Sequence, residues 1–405
     1  MFTCGIDPSR GKFAVSFIQD LKEFKYLEYE NSFRGFQEFR KQLLKLNEKP
    51  LICIEGYGDF ARNLALYLKE HLFIVYEINP KMSSRLKESM TIHKTDHIDS
   101  FTCGLFPFIR DDLKELHINK KIEGLKNLTR QYQKLSKIST SLKNQMHAAL
   151  NQAFGPIYKE FFTYLNQTSL TFFSNYGSFK EIEKADEKAI HLGMTTDRCH
   201  KYKGRYGLER AKQIKNIVMN LNYCLLEDFE KIQSASIKRH AKTLLSIIKQ
   251  KEEMKADIEA LVKELFPDYK NYFEDVNGVT SLQFGALISE IKDIDNFSSD
   301  AKLACYSGQG IARNQSSNMD KHKKNRNYNR NLAKIIHFLA LNNISKNGKY
   351  FSLYKERKSI YNKKLRALKS IKRKIVRLIY YRLKAYKSFL INDPGTPKEA
   401  IEMTA

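Results

Sequence analysis

The pentapeptide LICIE (51–55) is almost fully apolar and closes on a carboxylate. A run of that length and composition is typical of a strand buried on both faces. Pro50 stands just ahead of it and stops SFRGFQEFRKQLLKLN (32–47), where Phe33, Phe36, Phe39, Leu43 and Leu46 recur at helical spacing. Downstream, a helix is expected from about Asp59 to Glu70, then a further strand, FIVYEI (73–78), closed by Asn79-Pro80. Upstream, residues 2–7, 13–18 and 24–29 alternate or run apolar, with Gly5, Gly11 and Asp20 at or near the breaks. That spacing predicts three successive strands in an antiparallel meander.

The resulting order, β-β-β-α-β-α-β followed by helices, is that of the ribonuclease-H-like (RuvC-like) α/β fold, although periodicity leaves other α/β folds open. The whole chain has 405 residues, 42% of them hydrophobic, with 22 Tyr and 26 Phe. That is enough for two or three domains with sizeable cores and excludes wholesale disorder. No apolar run approaches the ~20 residues of a membrane span, and the N-terminus lacks a signal-peptide layout. The six cysteines are scattered without a CxxC pair, so neither a disulfide framework nor a zinc site is indicated, and a reducing, cytoplasmic protein is expected. Lys+Arg number 70 against 45 Asp+Glu, a formal charge of +25. Such an excess implies a polyanionic partner, most often nucleic acid; a merely basic protein is the plain alternative.

Beyond residue 119 the pattern changes. Ile122, Leu125, Leu128, Tyr132, Leu135, Ile138, Leu142, Met146 and Ala149 recur every three or four residues, and a second such stretch runs from Leu244 to Leu265. Two long amphipathic helices of this kind can pair as an antiparallel coiled coil. A third region holds a Gly/Ser-punctuated loop, CYSGQGIARNQSSN (305–318), a basic run, and a last helix, KSIYNKKLRALKSIKRKIVRLIYYRLKAYK (358–387). Residues 1–118 thus read as the ribonuclease-H-like α/β domain and 119–267 as a helical coiled-coil linker with an insertion that pattern leaves unassigned. Residues 268–388 read as a mainly helical C-terminal domain bearing the serine loop, and 389–405 as a disordered tail.

Four carboxylates stand out. Asp7 follows FTCGI in the first strand, Glu55 ends LICIE, and Asp96 and Asp99 sit three apart in KTDHIDS, on one face of a helix. In an open α/β sheet all four fall near the carboxyl edge, where ligands bind. Clustered carboxylates stay ionised together only beside a cation, and oxygen donors suit Mg²⁺ or Mn²⁺. For Asp96 a helix cap is the simpler reading, and singly each acid can be a surface carboxylate. His93 and His97 can be metal-site neighbours or solvated histidines, and Cys199-His200 reads as a surface turn. KHKKNRNYNRNLAK (321–334) carries six Lys/Arg and no acid, so Lys321, Lys323, Lys324, Arg326 and Arg330 are candidate phosphate contacts. From Lys355 to Lys387 there are fourteen Lys/Arg against one acid on a helix that keeps an apolar stripe.

GID (5–7), CIEGYG (53–58), INPKMSSRLKESMTIHKTDHIDS (78–100) and LTRQYQKLSKISTSLKNQMHAAL (128–150) resemble the DEDD-type insertion-sequence transposases related to the Piv invertases. VNGVTSLQFGALISEIKDIDNFSSDAKLACYSGQGIARNQSS (276–317) resembles that family's second domain. The resemblance implies an acidic tetrad at Asp7, Glu55, Asp96 and Asp99, and a serine nucleophile at Ser316, with Ser317 in the place of a glycine as a second candidate. It further implies a structured bridge RNA that pairs with donor and target double-stranded DNA, a homodimer or tetramer in which serine and tetrad come from different subunits, no membrane, and a prokaryotic, nucleoid-associated location. A ribonuclease-H-like nuclease or resolvase using water, and a non-catalytic nucleic-acid-binding assembly protein, are the competing readings.

Overall fold

The computed structural model describes residues 1–91, 93, 95–113, 115–194, 207–221, 227–316, 319–324 and 327–392. Within these, 227–229, 311–316, 319–324 and 391–392 are described by their backbone. The chain divides into two compact units, Met1–Ile118 and Asn119–Ala405.

In the first unit, β1 (Phe2–Pro8), β2 (Lys12–Gln19) and β3 (Lys22–Glu30) form the meander, with β1 central. The strands β4 (Leu51–Glu55) and β5 (Val75–Ile78) add to the other side of β1 in parallel, giving the order β3-β2-β1-β4-β5. This mixed sheet is the ribonuclease-H-like arrangement expected from the element order. The parallel connections run through α1 (Phe33–Leu43), which Ser32 caps by accepting from the Gly35 amide, and α2 (Arg62–Glu70). Phe13, Phe36, Phe39, Ile52, Ile54, Leu64 and Leu68 bury one face of the sheet against them. The strand FIVYEI is shorter than its composition suggests, because Phe73 packs in the core while its amide bonds back to Leu68. The other face carries α3 (Pro80–Met90), α4 (Asp96–Gly104) and α5 (Phe106–Ile109).

Among its described residues, the second unit is helical apart from one hairpin. Its frame is α6 (Lys120–Phe154), and the insertion that follows folds as α7 (Tyr158–Phe161), α8 (Gln167–Asn175), α9 (Phe179–Lys184), α10 (Glu187–Met194) and α11 (Leu208–Met219). The chain returns along α12 (Glu227–Leu265). The two long helices run antiparallel: Lys121 pairs with Glu264 at 2.8 Å, and the Lys251 ammonium sits 5.0 Å above the Tyr132 ring. At about 1.5 Å per residue they extend some 50 Å. Each end lies in a different core. Met146 to Phe154 and Ile237 to Leu244 bury against the phenylalanine-rich insertion, whereas Ile122, Leu125, Ile258 and Val262 bury against the C-terminal helices.

Those helices are α13 (Tyr269–Phe273), α14 (Ser281–Ile291), α15 (Asp300–Tyr306), α16 (Arg330–Asn343), α17 (Phe351–Tyr361) and α18 (Lys364–Asn392). Two sequence expectations change here. The segment 358–387 is two helices, because Asn362 adopts a left-handed conformation (φ 48°, ψ 24°) that ends α17, and the last helix continues to Asn392. The remainder of the expected disordered tail, 393–405, lies outside the described residues. Residues 311–316 of the expected loop and 319–324 of the basic run pair as two antiparallel strands, β6 (Ile311–Ser316) and β7 (Met319–Lys324), a cross-strand pairing that periodicity did not register.

Candidate active site

Parallel pairing puts Gly5 beside Cys53 and Ile6 beside Ile54, so Asp7 and Glu55 stand one step further along neighbouring strands. Neighbours in parallel register share a face of the sheet. The third acid arrives on a helix. Thr95 caps α4 by accepting from the Ile98 amide, and Asp99 lies in the first turn, buried. The helix can approach that closely because Gly5 and Gly104 lack side chains: a Cβ on Gly5 would stand 1.9 Å from the Ser100 carbonyl oxygen and 2.3 Å from the Gly104 nitrogen. Thr3 Oγ1 donates to the Gly104 carbonyl at 2.8 Å, and the Ser16 and Ser100 hydroxyls bond at 2.8 Å, which fixes the helix in rotation.

As a result one carboxylate oxygen each from Asp7, Glu55 and Asp99 lie within 4.8 Å of one another. Burial, and then the charges of Asp7 and Asp99, push the Glu55 carboxyl above its usual range; Lys87 and the Ser83 hydroxyl partly offset this. Lys87 is ion-paired to Asp99 Oδ1. Three oxygen donors that repel one another in a half-buried setting are the donor set that a hard divalent cation fits.

The structure brings three of the four predicted acids together and leaves the fourth outside. Asp96 is the first residue of α4, half exposed, with its carboxylate 3.5 Å from the Lys12 ammonium, which also pairs with Glu28 at 2.9 Å. Three residues along a helix turn the chain by some 300°, so the shared face holds only roughly, and Asp96 points toward the edge strands. His97 bonds Glu23 at 2.7 Å and packs on Tyr26, and His93 is exposed. Cys199-His200 lies outside the described residues.

In the second unit, Ser316 is the last residue of β6, paired with Met319 across the hairpin turn. Ser317 and Arg326 lie outside the described residues; Lys321, Lys323 and Lys324 lie on β7, and Arg330 opens α16, exposed. The sequence reading missed what holds the hairpin's neck. Glu290 on α14, with its side chain 2% exposed, accepts from Arg130 Nε at 2.6 Å and from Nη2 at 2.9 Å. It also accepts from Asn329 Nδ2 at 2.7 Å and Asn331 Nδ2 at 3.2 Å. Asn329 caps α16, and its amide donates to the Tyr306 carbonyl at 2.8 Å, closing the segment from 306 to 329 at its base. Burial opposes ionisation of Glu290, but the hydrogen bonds from Arg130 and Asn329 outweigh it and hold the carboxyl below its ordinary range. A signal existed: FGALISEI places one acid in an apolar helix, the same anomaly that singled out Glu55.

No helix among the described residues is long and apolar enough to cross a membrane. Residues 4–155 match the IS110-type DEDD transposase family model, described as "Transposase". Residues 270–356 match a second model, described as "Transposase IS116/IS110/IS902 family". No curated protein matches the chain. The first match covers the whole acidic cluster, the second spans the hairpin and Glu290, and both families act by DNA strand transfer. With both domains present in order, the chain belongs to the IS110-family DEDD transposases.

Proposed function

We propose that this transposase cuts and rejoins donor and target double-stranded DNA through a covalent serine–phosphodiester intermediate, at sites selected by a structured bridge RNA. The observation that carries the reading is the meeting of Asp7, Glu55 and Asp99 within 4.8 Å, in a chain whose second family segment bears Ser316 at the turn of a clamped hairpin. The three carboxylates would hold Mg²⁺ or Mn²⁺, which when bound polarises the scissile phosphate and stabilises the leaving oxygen. Ser316 Oγ forms one ester bond to phosphorus as one deoxyribose oxygen leaves; the serine proton is given up to solvent and the leaving oxygen takes one. Because the phosphoester count is unchanged, a deoxyribose hydroxyl of another strand can reverse the step and join the DNA anew. In this reading Asp96, once released from its exposed pair with Lys12, would complete the tetrad as a fourth acid.

The net charge of +25 supports a nucleic-acid partner whose sequence choice rests on base pairing, with the protein reading shape and backbone. In this reading α6 and α12 act as a coiled-coil spacer in a homodimer or tetramer, so that the serine of one subunit serves the acids of another. The protein would work on the nucleoid, where its DNA substrates are.

A nicked or suicide DNA substrate tests the mechanism. Stalled reactions should trap a protein–DNA adduct that mass spectrometry places on Ser316, and Ser316→Ala should lose it while still binding RNA and DNA. An adduct lost only in Ser317→Ala moves the nucleophile by one residue. Cleavage without any adduct makes the enzyme a water-using nuclease.

A further inference from the structure

Beside the carboxylate of Asp99 stands a lysine ammonium. Lys87 lies on α3 with its side chain 15% exposed, ion-paired to Asp99 Oδ1, whose side chain is 8% exposed. Four residues earlier on the same helix face, the buried Ser83 hydroxyl bonds Glu55. Helix α3 therefore supplies one polar group to each of two acids. Met82 and Leu86 of the same helix pack, partly buried, against the cluster of Cys53, Ile78, Cys103 and Phe106, which holds α3 over the acids.

A buried carboxylate needs a partner, and three within 4.8 Å need more than one positive charge. A lysine ammonium is a point charge on a flexible four-carbon stem, which can withdraw without dismantling a bidentate fork. We propose that Lys87 is the internal counter-cation of this site, occupying the face of Asp99 that a divalent cation would take, so that the two cations compete for one oxygen. Lys87 then does two things: it keeps the carboxylates folded together without a divalent ion, and it lowers the affinity with which one is taken up. This rests on the reading of the acidic cluster as a metal site.

Binding of Mn²⁺ to the full-length protein, followed by the electron paramagnetic resonance of the free ion, tests the competition. Removing a like charge from a partly buried site should tighten Mn²⁺ binding in Lys87→Gln by about tenfold or more. Lys87→Arg, which keeps the charge, should bind no more tightly than the wild type, and Asp99→Asn should lose binding. A merely structural role would weaken binding in Lys87→Gln, the opposite sign. Unchanged or weaker binding in Lys87→Gln, with Asp99→Asn still deficient, overturns the role of Lys87 and leaves the metal site standing. Absent wild-type binding, or Asp99→Asn binding like the wild type, overturns the metal site and this proposal with it. If Lys87→Gln is poorly folded without cation, thermal unfolding decides: a larger Mn²⁺-induced rise in Tm than in the wild type supports competition, and an equal or smaller one refutes it.

Discussion

Gly5 of β1 and Gly104 of α4 meet backbone to backbone: a Cβ on Gly104 would lie 2.8 Å from the Gly5 nitrogen, and one on Gly5 2.3 Å from the Gly104 nitrogen. This close approach sets how far Asp99 stands from Asp7 and Glu55. Gly5→Ala should cost about 1–3 kcal/mol through overpacking, and more if the backbone cannot shift. It should also weaken Mn²⁺ binding, because α4 must retreat and take Asp99 with it. Calorimetry and metal titration on the same variant check both effects; a stable variant with unaltered metal affinity would break the link.

The acids should act as one unit. Asp7→Ala, Glu55→Ala and Asp99→Ala should each abolish strand cleavage, and double variants should be no worse than single ones, since losing one ligand already disables a shared site. Cleavage assays with and without excess chelator measure this. Additive partial losses would mean independent roles.

Without a cation, Glu55→Gln should be more stable than the wild type near neutral pH. Burial and the neighbouring Asp7 and Asp99 charges raise the Glu55 carboxyl above its unfolded value of about 4.3. The folded state therefore binds the proton more tightly, and the stability this confers is present below pH ~4.3 and lost as pH rises through the folded value. The advantage of Glu55→Gln should accordingly vanish on acidification. Urea unfolding in chelator across that range checks the sign.

Glu290 behaves in the opposite sense. Its carboxyl is held below the ordinary range, so its contribution is present above about pH 4.3 and lost as pH falls through the lower folded value. Glu290→Gln should destabilise the helical unit by about 1–3 kcal/mol at neutral pH, since several charge-assisted hydrogen bonds weaken while Arg130, partly exposed, recovers water. It should also show a flatter acid limb. Hydrogen exchange should rise across 306–329, the segment whose base Glu290 clamps, and adduct formation should fall in step.

Nucleic-acid affinity should fall steeply with salt. Combined neutralisation of Lys321, Lys323, Lys324 and Arg330 should reduce the slope of log K against log salt by roughly 0.7–0.9 for each phosphate left without its cation, with sequence choice unchanged. Filter binding over a salt series measures the slope, and an altered site preference would show that these residues read bases.

Local chemistry wrote much of this molecule in plain view. The apolar run 51–55, the alternation in 13–18 and the 3–4 spacing from Ile122 to Ala149 are each set by neighbours in sequence, so strands, helices and the carboxylates that end them are legible one segment at a time. The hairpin at 311–324 was not, because its pairing is a relation between two strands that neither strand's periodicity records, and the break at Asn362 was not, because a left-handed residue leaves the apolar stripe intact. Nor could spacing tell Asp96 from Asp99. Both lie in the first turn of one helix; it is the glycine-to-glycine approach of β1 and α4 that buries one beside Asp7 and Glu55 and leaves the other in solvent with Lys12. Lys87 and Glu290 are the extreme case, a surface-like lysine and a helix glutamate by sequence, whose partners lie 12 and 160 residues away and exist only once the chain has folded.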